Sequence, residues 1–554
     1  MEDGEPLVQR APIARLPAEL VTGIINIIAH DSVHGRWDDY LPDESIAISH
    51  VCKFWRDAAL GSGGKVLWTR APLRHSAACV RAFMERSHPL PVFLSVELGD
   101  DSIPTSMAAL AEAATFMDRV EGLSVRSVYH RDTVLSAADR QLHESLHTIL
   151  STNIAPSLKT LAWWHEYDMG YDGQPTLPAK LFAEHIPDNL RSVKIVGMAL
   201  PHEFAALRAP LTSLDLGNCE AWEYADELLD TLSCMPGLES FIFDAANTSW
   251  CSNRWPQRYE KRSVALPCLR TLCLTDQPAG VSSHLLAYLR IPVDARIHVE
   301  ATPEEITPQN DMAQFCQALF AHYHENALPD GQTFTFSTIS IGLCGGNSDG
   351  LTLHASYRNA PCLSLVVAEA GILSTGSRAV ILETVQTILR FPVMAHATQF
   401  NISHSNYFAM GNESDWGALQ TSFPDLNTIC LSRTALYGLA PTLLQPHAPH
   451  SGIIIFPSLT SLLFEGLTFV EGDLPAAFYF NALKTVADHR ASQGHPLKHI
   501  EFRTCSGAAT LAQQLSIALP DVQVTHRWGS QNNVLIGMKA TQWDHGYTDI
   551  HDGE

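Results

Sequence analysis

The chain has 554 residues, 46% of them hydrophobic and 17% charged, with a formal net charge of −23. That apolar content excludes a disordered polypeptide, and the length exceeds one ordinary core, so several domains or a repeat array are expected. An isoelectric point near 5.5 leaves no basic field for nucleic-acid phosphates, so no nucleic-acid partner is predicted.

Met1, Glu2, Asp3, Gly4 and Glu5 offer neither the basic start nor the apolar run of a secretory signal. The longest stretch without Asp, Glu, Lys or Arg, Thr434 to Phe464, is broken by Pro441, Pro446, Pro449 and Pro457. No membrane-spanning helix is therefore expected. The 12 cysteines include no C-x-x-C pair, which fits reduced thiols in a cytoplasmic or nuclear protein better than a disulfide frame or a zinc knuckle.

In chain order, a flexible N-terminus over residues 1–12 precedes an organised segment over 13–75. Leu16 and Pro17 open a first helix, and Leu20, Ile24, Ile27 and Ile28 fall on one stripe. A polar loop from His30 to Pro42 leads to a second helix carrying Ile48, Val51, Cys52, Trp55 and Ala59. Gly61, Ser62, Gly63 and Gly64 break it, and Leu67 and Trp68 close the segment. A unit this short makes a thin core, so a partner or the next domain is expected against its second apolar edge.

Residues 76–530 carry a repeated phrase, a proline followed by L-x-x-L-x-L. Its clear copies are Pro156 with Leu158, Leu161 and Trp163; Pro187 with Leu190, Val193 and Ile195; Pro210 with Leu211, Leu214 and Leu216; and Pro236 with Leu238, Phe241 and Phe243. Four more are Pro267 with Leu269, Leu272 and Leu274; Pro424 with Leu426, Ile429 and Leu431; Pro457 with Leu459, Leu462 and Phe464; and Pro496 with Leu497, Ile500 and Phe502. Weaker copies stand at Val120–Val125, Phe336–Ile341, Cys362–Val367, Ala397–Ile402 and Leu519–Val524. The last two apolar positions, two residues apart, face one side of a short strand, and the first anchors the turn leading in. Helical patterns lie between copies, at Glu223–Met235, Met312–His322 and Arg378–Leu389. Alternating strands and helices call for right-handed crossovers and a parallel sheet, an α/β fold in which each unit buries its apolar face on its neighbours.

His143, Glu144, Ser145, Leu146 and His147 spell H-E-x-x-H, a spacing that puts both histidines on one helix face with a glutamate as general base. The surrounding pattern reads as a repeat helix with Leu142, Leu146 and Ile149 buried, so no metal or other cofactor and no catalytic residue are predicted. Glycine-rich Gly342–Gly350 reads as a turn.

LPAEL at Leu16–Leu20, VCKFWRDAAL at Val51–Leu60 and the final Leu67–Trp68 resemble an F-box. LTSLDLGNC, with Leu211, Leu214, Leu216, Asn218 and Cys219, is similar to the irregular leucine-rich repeats, a resemblance covering roughly residues 100–530. Together they imply a three-helix F-box followed by a horseshoe solenoid with a parallel sheet on its concave face and helices outside, then a C-terminal cap and acidic tail over 531–554. Residues 1–75 hold eight basic and ten acidic side chains against 28 and 49 in the rest, so the acidity belongs to the array. By resemblance the F-box docks on a Skp-family adaptor, and through it a cullin and a RING subunit, while the repeats recruit an unidentified protein target for ubiquitin transfer. Leu16, Pro17, Leu20, Ile24, Val51, Cys52 and Trp55 are the expected adaptor contacts. The target would meet sheet-face positions such as Ser213, Asp215, Ser240, Asp244, Thr271, Thr275, His499, Glu501 and Arg503. The alternatives are a non-catalytic scaffold without a ligase role and, remotely, a zinc hydrolase built on His143, Glu144 and His147.

Overall fold

A computed structural model describes residues 16–17, 19–25, 27, 43–98, 103–128, 137–166, 175–178, 180–201, 204–220, 222, 225–244, 263–302, 308–325, 334–344, 350–357, 360–368, 387–403, 423–432, 439–444, 456–469 and 476–527. The chain forms two compact units, Met1–Ser249 and Trp250–Glu554.

The first unit opens with helix α1 (residues 19–25). The Pro17 carbonyl accepts its first bonds, from the Leu20 and Val21 amides at 3.1 and 3.2 Å. The single helix expected through Ile48–Ala59 is instead two, α2 (Asp43–His50) and α3 (Lys53–Leu60). Cys52 caps α3 in an extended conformation (φ −162°, ψ 174°). The break is stabilised because the Arg56 guanidinium donates from Nε to the Ser49 carbonyl at 3.1 Å, satisfying an acceptor at the end of α2.

Seven parallel strands follow, each paired with its successor: β1 (Arg70–Pro72), β2 (Val92–Leu98), β3 (Val120–Val128), β4 (Thr160–Glu166), β5 (Ser192–Val196), β6 (Ser213–Gly217) and β7 (Ser240–Asp244). Helices α4 (Ala77–Ser87), α5 (Ile103–Ala114), α6 (Ala137–Thr152) and α7 (Ala225–Ser233) supply crossovers. On α6 the buried residues are Leu146 and Leu150, with Ile149 half-buried; the side chain of Leu142 lies outside the described residues. The connections into β5 and β6 use short 3-10 turns, Phe182–Glu184 and Ala205–Arg208, where a helix was expected between most copies.

The register aligns the repeated phrase. Leu161, Val193, Leu214 and Phe241 form one row, and Trp163, Ile195, Leu216 and Phe243 the next. All are buried, as are the anchors Leu158, Leu190, Leu211 and Leu238. The turn before each strand is tied to its neighbour by one repeated device. The Lys159 carbonyl accepts from Arg191 and Ser192, the Arg191 carbonyl from Thr212 and Ser213, and the Thr212 carbonyl from Glu239 and Ser240, all at 2.8–3.0 Å.

The second unit repeats this ladder with one interruption. Its strands are β9 (Thr271–Pro278), β11 (Arg296–Thr302), β12 (Thr338–Cys344), β13 (Gly350–Tyr357), β14 (Ala360–Ala368), β15 (Gln399–Ser403), β16 (Thr428–Ser432), β17 (Ser461–Glu465), β18 (His499–Arg503) and β19 (Gln523–Arg527). The two-residue strands β8 (Val264–Ala265) and β10 (Leu289–Arg290) pair apart from these. Helices α8 (Ala279–Tyr288), α9 (Pro308–Glu325), α10 (Leu439–Leu444), α11 (Ala476–Ser492) and α12 (Ala508–Ala518) lie between strands. From β15 to β19 each strand pairs in parallel with the next, and Phe400, Ile429, Leu462 and Ile500 share a row.

Between β11 and β15 the spatial order is β14, β13, β12, with β13 antiparallel to both neighbours. This corrects the expectation of a parallel sheet at the weaker copies Phe336–Ile341 and Cys362–Val367, whose strands β12 and β14 are separated by the antiparallel β13. The connections decide it. Only residues 345–349 and 358–359 separate these strands, and a parallel return needs a crossover of a dozen or more residues. The glycine-rich stretch therefore joins a hairpin. Arg490, fully buried on α11, closes the ladder lower down, donating from Nη2 to the carbonyls of Phe456 and Leu459 at 2.9 and 3.0 Å. Burial pulls its guanidinium down to about 10.

At the end of four strands the next residue is left-handed: Gly197, Asn218, Gly466 and Thr504 have φ of 72°, 49°, 65° and 48°. A buried thiol follows two of them. Cys219 Sγ donates toward the carbonyls of Ile195 and Gly217, and Cys505 Sγ toward those of Phe464 and Arg503. Burial pushes the Cys219 thiol up to about 12.

Two tests follow from this packing. A Cβ on Gly197 would stand 2.2 Å from the His165 carbonyl oxygen, so Gly197→Ala should lower the unfolding free energy in urea by about 1–3 kcal/mol or more. His165 and His322 are pushed down to about 4, each chiefly by burial. Their neutral forms belong to the folded state, so stability should be full above the unfolded-state value of 6.5 and fall between pH 6.5 and 4, measurable as a declining thermal midpoint.

Candidate functional site

Among the described residues between 16 and 68, the apolar side chains divide into a buried and an exposed set. Val21 and Ile25 are fully buried, Ala59 likewise, and Trp55 is 7% exposed. Leu20, Ile27, Val51 and Leu60 are 55%, 60%, 56% and 48% exposed. These four are most of the exposed large apolar residues among the described ones, the others being Ile154 and Ile517. Scattered exposed leucines are ordinary; four large exposed apolar residues within 41 positions of the chain are less so.

The expected adaptor contacts separate accordingly. Pro17, Leu20 and Val51 are exposed, Leu16, Ile24 and Cys52 half-buried, and Trp55 buried. The stripe Leu20, Ile24, Ile27 thus runs along the outer side of α1, while Val21 and Ile25, which the stripe omits, form its core contact. Ile28 and the loop from His30 to Pro42 lie outside the described residues. Ile27 and Leu60 join the exposed set; Ile27 is seven residues from Leu20, on the same helix face.

The packing around Trp68 is local. Trp68, 1% exposed, donates from Nε1 to the Ala59 carbonyl at 2.8 Å, stacks edge-on against Phe83 of α4 at 4.9 Å, and lies beneath the Arg86 guanidinium at 4.4 Å. Ser45 Oγ donates to the Leu67 carbonyl at 2.8 Å. Glycines occupy the tight contact: a Cβ on Gly64 would meet the Ala59 carbonyl oxygen at 2.3 Å, and one on Gly63 would meet Thr22 Cγ2 at 2.5 Å. The GSGG stretch is therefore what lets the 3-10 turn Ser62–Trp68 lie against α3.

On the sheet face opposite the packed one, polar side chains alternate with the core rows. In the first unit Lys194 pairs with Asp215 at 3.2 Å and sits 5.5 Å from the Trp164 ring centre. Ser213 and Ser240 share a row with Thr160 and Ser192, and Asp244 ends β7. In the second unit Glu501, 2% exposed, accepts from Arg503 Nη2 at 2.9 Å and pairs with Arg527 Nε at 3.2 Å. Burial raises its carboxyl, but the Arg503 bond and the two guanidinium charges outweigh that and hold it below its ordinary value. His499 Nε2 lies 3.2 Å from Thr525 Oγ1. Thr271 and Thr275 sit on β9. These positions are balanced in charge and share no reactive constellation.

His143 and His147 lie on α6, ring centres 6.2 Å apart, with His147 5.8 Å from Trp163. Glu144 is exposed, and the side chain of Glu166 lies outside the described residues. Burial lowers His147, and His165, packed on β4, is lowered by burial first and by the His143 charge second. Among the described residues no three His, Cys, Asp or Glu side chains converge as a metal site, and no helix is long and apolar enough to cross a membrane.

Compared with known proteins, the chain matches no family model, and no curated protein matches it.

The support predicts its own failure. Trp68→Ala removes a fully packed indole, a hydrogen bond and a cation–π contact, and should destabilise the first unit by about 3–5 kcal/mol in chemical denaturation.

Proposed function

We propose that the chain is an F-box-type substrate receptor: residues 16–68 dock on a Skp-family adaptor and the strand array behind them holds a protein target. The observation that carries this reading is that Leu20, Ile27, Val51 and Leu60 are exposed while Val21, Ile25, Trp55 and Ala59 in the same segment are buried. Each of these side chains is already about half buried, so covering the remainder gains roughly 1 kcal/mol apiece, and a partner that covers several of them gains an apolar anchor. The surface is preorganised by Trp68 and by the glycines at 63 and 64, which limits the ordering cost of docking.

The array is read as an irregular leucine-rich-repeat solenoid. Its support is the anchor-plus-two spacing in the eight proline-led copies, every one of which ends in a strand with its apolar pair buried. Alternating sheet-face positions such as Lys194, Asp215, His499 and Arg503 then supply the polar surface that a target meets. On this reading the chain performs no covalent step. It raises the local concentration of target lysines beside a conjugating enzyme carried by the cullin and RING subunits, which is catalysis by proximity.

The test uses the exposed positions, whose replacement leaves the core intact. Leu20→Glu combined with Val51→Glu should reduce co-purification with a Skp-type adaptor at least tenfold, with an unchanged thermal midpoint. Undiminished capture of the adaptor by that variant, or no capture by the unaltered chain, rejects the assignment.

A further inference from the structure

Two imidazoles on α6 take no part in the receptor reading. His143 and His147 are one turn apart, so both project from one side of the helix, with ring centres 6.2 Å apart and ring planes at 82°. His147 Nε2 is buried and has no hydrogen-bond partner among the described residues. A buried ring nitrogen without a partner is costly and calls for an explanation. Its surroundings are apolar: Leu146 and Leu150 are buried on the same helix, and the Trp163 ring lies 5.8 Å away. His143 is half-exposed, so the pair opens to solvent at one end.

We propose that His143 and His147 form a two-histidine chelate for a borderline divalent ion, Zn²⁺ or a similar transition metal, with water filling the remaining positions. Imidazole nitrogen is the preferred neutral donor for such ions. Metal–nitrogen bonds of about 2.0–2.1 Å to both rings hold their centres roughly 5–6 Å apart, so a small side-chain rotation closes the observed pair onto an ion. The ion would occupy the orphaned Nε2 of His147, the atom the fold leaves unsatisfied. With two protein ligands and no third converging among the described residues, the site is an open, exchangeable one rather than a closed structural centre. Its effect is to clip successive turns of α6 together where they pack on β4. This inference does not depend on the receptor reading.

The test takes the full chain stripped of metal and titrates it with Zn²⁺ by calorimetry, with Co²⁺ absorption as a second readout. The unaltered protein should bind one more equivalent in the micromolar range than either His143→Gln or His147→Gln, and its thermal midpoint should rise with Zn²⁺ where theirs does not. Each variant should weaken that equivalent at least tenfold. Since the chain has 26 histidines, the loss of one equivalent, and not binding as such, is the criterion. His143 is half-exposed, so His143→Gln keeps the fold and decides alone should His147→Gln unfold. Equal stoichiometry and affinity in the unaltered chain and in His143→Gln, or binding seen only at millimolar ion (an adventitious ion only), overturns the proposal.

Discussion

Each strand of this protein has too little surface to bury its own apolar pair, and the structure follows from that constraint. A five-residue strand such as Ser213–Gly217 offers Leu214 and Leu216 to one side, and neither is shielded until neighbouring rows align. Parallel register puts Val193 and Phe241 on either side of Leu214, and Ile195 and Phe243 on either side of Leu216. A slip of one residue would turn every pair to the polar face. The shared carbonyls of Lys159, Arg191 and Thr212 fix that register, because each accepts two amides from the next turn. Packing and backbone hydrogen bonding thus enforce the same alignment.

The strand ends show how different residues satisfy one backbone demand. Glycine is the ordinary occupant of left-handed conformations, and Gly197 and Gly466 supply it. Asn218 and Thr504 adopt it in the equivalent places, and each is followed by a cysteine whose thiol donates to a carbonyl of the preceding strand, Ile195 or Phe464. Those thiols behave as buried structural groups. Burial raises Cys219, Cys316 and Cys430 to about 12, which suppresses the thiolate that reactivity requires.

The N-terminal helices obey the opposite logic. Among their described residues Val21, Ile25, Trp55 and Ala59 are buried, and a second apolar set is exposed. Leu20, Ile27, Val51 and Leu60 are each about half exposed. That surplus is what the adaptor-docking proposal explains, and the tight seat of Trp68 between α3 and α4 explains how such a surface stays rigid while exposed. The polar sheet face pairs its charges, as in Lys194 with Asp215 and Glu501 with two arginines.

Most strands were legible in the chain alone, because the anchor-plus-two spacing is a local pattern with a direct physical cause. All eight proline-led copies and four of the five weaker ones place their apolar pair in strands, while in Leu519–Val524 only Val524 reaches its strand, Gln523–Arg527. β11 escaped because Asp294 stands where the apolar anchor should be, and β2 because Pro91 stands there. Tertiary structure alone decided the rest. The reversal β14, β13, β12 depends on which strand edges are free to receive a hairpin, which periodicity does not encode, although the short connections at 345–349 and 358–359 hint at it. The break at Val51–Cys52 depends on Arg56 reaching back to Ser49. Which side of α1 is core and which is surface was likewise beyond the sequence. Leu20 and Val21 are equally apolar, and only the neighbours against which α1 packs, Thr22 against Gly63 among them, select the buried one.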